Sequence, residues 1–123
     1  MQTPRKLQIR EEALRIASAT YRLTSRFPPH ERFALASQMQ RAAVSVGSNI
    51  SEGCGGHGDR AFLAYLHRAT GSLNELEFQL EVAVDLGYAS ADQCGTLKSQ
   101  LRTTRRMVVR LMVVLRKRSQ GCA

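Results

Sequence analysis

The sequence predicts an all-α protein, an antiparallel up-down-up-down four-helix bundle that assembles as a homo-oligomer. Apolar residues recur three and four apart through four long segments, and none alternates as a strand does. Proline and glycine fall between those segments, at Pro28-Pro29, from Gly53 to Gly58 and at Gly87. The connections left are short, roughly two to six residues, which sets consecutive helices running in opposite directions.

The first helix is expected over about residues 5–26. Leu7, Leu14, Ala17 and Tyr21, with Ala13 and Thr24, mark its inward face. Pro28-Pro29 ends it, because proline removes a donor and restricts the residue before it. Pro29 suits the first turn of a second helix, over 29–52, whose apolar face holds Leu35, Met39, Ala42, Val46, Asn49 and Ile50. Asp59 is placed to cap a third helix, over 59–86. Its seam of Phe62, Leu66, Ala69, Leu73, Leu76, Leu80 and Ala83 alternates four and three apart. Gly87 ends that helix. Ser90 and Gln93 then have capping-box form and open a fourth, over 90–117, with Leu97, Leu101, Thr104, Val108, Leu111 and Leu115 inward.

A chain of 123 residues fits a single domain spanning 1–123. No stretch approaches the length of an apolar membrane span, and the N-terminus lacks the apolar stretch of a secretory signal. Cys54, Cys94 and Cys122 form an odd, widely spaced set, as expected of free thiols in a reducing compartment. The expected location is cytoplasmic.

The net charge of +8 has one source. From Lys98 onward the chain carries eight basic residues and no acid: Lys98, Arg102, Arg105, Arg106, Arg110, Arg116, Lys117 and Arg118. The preceding residues balance ten cations against ten acids. At 100° per residue all but Arg118 fall within an arc of about 140°. Such a face can follow a phosphate backbone, and arginine engages phosphate bidentately. The other readings are an acidic protein partner and pairing within or between subunits, for which Glu77, Glu81 and Asp85 offer an acidic stripe on the third helix. No aromatic residue lies in this helix to stack on bases, so contacts without sequence specificity are expected. Val109 and Val113 intrude into the cationic arc. A surface left wet would gain nothing from them, so both are expected at an oligomer interface. A membrane surface is disfavoured, because Trp and Phe are missing from the helix and the bundle needs its apolar face.

From Phe27 to Tyr88 the chain reads FPPHE, Leu35, Gln38, RAAVS (41–45), SNISEG (48–53), FLAYL (62–66), ATGSLNELE (69–77) and LGY (86–88). This pattern resembles the bacterial four-helix-bundle family encoded in intervening sequences of large-subunit ribosomal RNA genes. The accessory variability proteins of diversity-generating retroelements look related. The resemblance implies a small cytosolic protein, commonly a ring-like homopentamer, without enzymatic activity. The retroelement relatives imply RNA or DNA, and a reverse transcriptase, as partners.

Gln38, Arg41, Ser45, Ser48 and Glu52 form a polar ridge on the second helix, with Asn49 nearer its apolar centre. A ligand groove is one reading. A buried polar network fixing helix register is the favoured one, and Glu77 joins it as a polar position of the family pattern. Gly71-Ser72 and Gly47 are expected where another helix packs closely. The Gly53–Gly58 run lacks the preceding strand and following Lys of a phosphate-binding loop. Cys54-x-x-His57 offers two ligands where a closed zinc site needs four, so no metal or other cofactor is expected. His30 and His67 have no evident nucleophile beside them, and no catalytic residues are assigned.

Overall fold

The computed structural model describes residues 3–119 and contains four α-helices, with no strand among the described residues. Helix α1 spans Pro4–Thr24. Thr3 precedes it and accepts the Lys6 N–H through its side chain at 3.2 Å, while Pro4 occupies the first turn. Helix α2 spans Leu35–Gly53, α3 Asp59–Asp85 and α4 Ala91–Ser119.

The second helix starts later than its proline suggests. Pro29–Glu31 forms a separate 3₁₀ turn, and Ala34 (φ −119°, ψ −106°) breaks the path before α2. Glu31 explains the restart, because its carboxylate accepts the Leu35 N–H at 3.3 Å and satisfies the first helical donor. Asp59 likewise does not cap α3. Gly58, at φ +95°, takes the cap position without a side-chain bond, and Asp59 is the first helical residue. The capping box of α4 forms as expected. Ser90 N–H donates to Gln93 Oε1 at 2.8 Å, and Gln93 N–H to Ser90 Oγ at 3.1 Å.

Each helix packs against two neighbours in the cyclic order α1, α2, α3, α4, around one apolar core. All seven expected seam residues of α3 are buried, as are all six of α4. On α2, Met39, Ala42, Val46 and Ile50 are buried, with Leu35 and Asn49 half-buried.

Helix α1 turns a different side inward, with Ala13 and Thr24 of the expected face buried. Ile9, Ala13, Ile16, Thr20 and Leu23 enter the core, whereas Leu7, Leu14 and Tyr21 are 48%, 68% and 49% exposed. The inward set repeats four, three, four and three apart, and so stays over the core for the whole helix. The outward set repeats at sevens, a second stripe on the same helix. Thr20 and Thr24 tolerate burial because their hydroxyls donate to the carbonyls of Ile16 and Thr20, at 2.8 and 2.9 Å.

The close helix approach lies at Gly53 and not at Gly71. A Cβ on Gly53 would stand 2.6 Å from Phe62 Cδ1, on Gly47 an ordinary 3.6 Å from Ala13 Cβ, and on Gly71 in open space. Two alanine substitutions should therefore act in opposite directions. Gly53→Ala should cost about 1–3 kcal/mol by overpacking. Gly71→Ala should add roughly 0.5–1 kcal/mol by relieving an exposed mid-helix glycine. Urea denaturation of both variants checks this, and equal destabilisation would contradict the packing described.

Candidate nucleic-acid interface

The face in question is built by α4 alone, but α3 determines its state. Glu77 on α3 accepts hydrogen bonds from Arg105, and from Arg102 at 3.3 Å. Lys98 Nζ lies 4.0 Å from Glu81, and Arg118 Nε 3.1 Å from Asp59. Arg116 meets His67 at 3.2 Å. Partner numbers fall along α3 as they rise along α4, so the acids of one helix meet the cations of the other in sequence.

These contacts divide the eight expected binding residues. Lys98, Arg102, Arg105 and Arg118 have carboxylate partners, and Arg116 has an imidazole. Arg106, Arg110 and Lys117 are exposed and have no acidic partner among the described residues. Arg106 reaches only the Thr103 hydroxyl, at 3.4 Å. Val109 and Val113, 43% and 41% exposed, lie on the same arc.

Glu77 is the most constrained acid of the cluster. Its side chain is 19% exposed, and the Arg105 hydrogen bond, with the charges of Arg105 and Arg102, holds its carboxyl below the ordinary 4.5. Such a depressed group contributes stability that is present above the ordinary value and lost as pH falls through the lowered one. Glu77→Gln should thus cost about 1 kcal/mol near neutrality. The deficit should shrink as pH drops below 4.5, in parallel denaturation curves of both proteins. A pH-independent deficit would contradict the assignment.

The polar ridge of α2 separates. Asn49 Nδ2 donates to the Ser45 carbonyl at 2.8 Å and to its hydroxyl at 3.1 Å, and Ser72 Oγ donates to Ser45 Oγ at 2.9 Å. This network joins α2 to α3. Gln38, Arg41, Ser48 and Glu52 are exposed and stand outside it, and Glu77 is engaged by α4 instead. Ser72 is thus a register-fixing residue, where close packing was expected.

Two features went unread in the sequence. Tyr88, after α3, donates its hydroxyl to Glu31 at 2.7 Å, meets His30 at 3.2 Å and packs its ring against Phe27. It fastens the 3₁₀ turn to the α3–α4 connection. The second is an exposed apolar strip along α1 and α2, with Leu7, Leu14, Tyr21 and Val44 above Ala17, Gly47 and Ser48, and with Arg10, Glu11, Arg41 and Glu52 also lining it. The seven-residue repeat was its signal, read as core.

Cys54 is half-buried and Cys94 buried, both with free thiols that burial pushes up in pKa; Cys122 lies outside the described residues. Among the described residues no group of three or more His, Cys, Asp or Glu could hold a metal ion, and no helix is long and apolar enough to cross a membrane.

No curated protein matches this chain. Among solved structures, it is similar to a protein of unknown function from the S23 ribosomal protein family of Bacteroides thetaiotaomicron VPI-5482. The TM-score is 0.81 at 19% identity, covering 88% of this chain and 97% of that one, a likeness of fold. Residues 5–110 match the family described as 23S rRNA-intervening sequence protein. The match takes in all of α2 and α3 and most of α1 and α4, and the chain belongs to that family.

Proposed function

We propose that this protein is a non-enzymatic, cytoplasmic, oligomeric nucleic-acid-binding protein that holds phosphates without sequence specificity. The observation that carries this is the exposed ridge of Arg106, Arg110 and Lys117, which keeps its charge while α3 occupies the cations beside it. The ridge spans about 16 Å of helix, several phosphate spacings of one strand. The α3–α4 pairings support an antiparallel up-down-up-down course for the bundle.

The assembly proposed is a homo-oligomer, a pentameric ring. It is supported by the exposed apolar residues of the α1–α2 strip and by Val109 and Val113, two distinct surfaces suited to a head-to-tail contact that closes on itself. A ring would repeat the ridge and raise avidity. In the competing reading α4 holds an acidic protein partner, such as a reverse transcriptase, or a neighbouring subunit. Val109 and Val113 between the cations favour that reading.

Arg106→Gln/Arg110→Gln/Lys117→Gln should nearly abolish RNA and DNA binding, because each phosphate contact contributes about −0.9 to the slope of log K against log salt. Lys98→Gln/Arg105→Gln should keep most of the affinity. Both variants should sediment as the same oligomer as the parent protein. Full binding by the triple variant would overturn the phosphate reading. A triple variant that falls into monomers would favour the subunit-contact reading, and a monomeric parent would remove the ring.

A further inference from the structure

Where α1 begins, α3 begins and α4 ends, the three helices leave a cleft of about 510 Å³. Arg5 and Lys6 from one end of the chain and Arg118 from the other line it, above an apolar floor that includes Phe62 and Val114. Asp59, the acid among its lining residues, is held by Arg118 at 3.1 Å. Lys6 Nζ rests 5.1 Å from the Phe62 ring centroid.

We propose that this cleft binds a single nucleotide, its base on the apolar floor and its phosphate on Arg5 and Lys6, beside the Arg118–Asp59 pair. The inference deepens the phosphate-binding reading of α4 and rests on it. Asp59 and Arg118 offset each other, so Arg5 and Lys6, without an acidic partner among the described residues, leave the opening positive, and a phosphate satisfies several cationic donors at once. The floor supplies what the α4 ridge lacks, an aromatic ring beneath a cation. Phe62 is 4% exposed with Lys6 over its ring, so a base arriving there displaces the Lys6 ammonium toward the phosphate and exchanges the cation–π contact for a base–aromatic one.

Val114 and Arg118 lie on the same side of α4, adjacent around the helix to Arg110 and Lys117. A strand tracked along the ridge therefore reaches the cleft with its last nucleotide. The same chemistry serves a free mononucleotide or the phosphorylated end of a strand. The cleft was not legible in sequence because its cations come from opposite ends of the chain.

The test is an NMR titration of the full-length protein with adenosine monophosphate, adenosine and inorganic phosphate, beside oligonucleotide binding with and without a 5′-phosphate. Adenosine monophosphate should shift the resonances of Phe62 and Val114 and bind more tightly than adenosine or phosphate. Arg5→Gln/Lys6→Gln should weaken it by about tenfold, with circular dichroism unchanged. A preference for the 5′-phosphorylated oligonucleotide, lost in that variant, identifies strand ends as the source; no preference, with mononucleotide binding intact, identifies the free nucleotide. Adenosine monophosphate binding no tighter than inorganic phosphate, or shifts confined to other residues, overturns the cleft. Oligonucleotide binding without mononucleotide binding sinks this inference alone, whereas failure of both sinks the phosphate reading as well.

Discussion

A helix that carries eight cations and no acid from Lys98 onward cannot offset its own charge by pairs one turn apart. That constraint organises the α3–α4 half of the molecule. Glu77 takes two arginines, Glu81 faces Lys98, and Asp59 takes Arg118 at the far end. The apolar seams of α3 and α4 bury the same two helices against the core, so charge and burial agree on one register. Exposed pairs of this kind contribute little each, about 0.2–1 kcal/mol. Their larger effect is to decide which cations remain available to another molecule.

The α1–α2 half is organised by packing and local bonds. Gly53 lets the end of α2 meet Phe62, Ser45, Asn49 and Ser72 set α2 against α3, and Tyr88 ties the 3₁₀ turn to the far connection. These contacts leave Leu7, Leu14, Tyr21 and Val44 exposed along one side of α1 and α2. A cationic ridge on α4 and a strip of exposed apolar residues on α1 and α2 are different kinds of surface, suited to different occupants.

Much of the fold was legible in the sequence. The four helices followed from the three-and-four spacing, and the seams of α3 and α4 were read residue by residue, because each helix bears one dominant apolar stripe. Helix α1 bears two, and periodicity alone does not say which one faces the core. The stripe with the larger residues, Leu7, Leu14 and Tyr21, is the one left outside. The start of α2 was misplaced because Pro29 suits a 3₁₀ turn as well as a helix, and the Glu31 carboxylate resets the cap. The cationic arc was visible at once. Its division into engaged and available members depends on which α3 acid stands opposite each cation, which is a property of the packed pair.

On the proposed reading, Glu77 withholds Arg102 and Arg105 from a polyanion. The most direct test measures nucleic-acid affinity against salt concentration for Glu77→Gln and the parent protein. Freed of their carboxylate, the two arginines should raise affinity and steepen the slope of log K against log salt by about 1–2. An unchanged or shallower slope would contradict the claim.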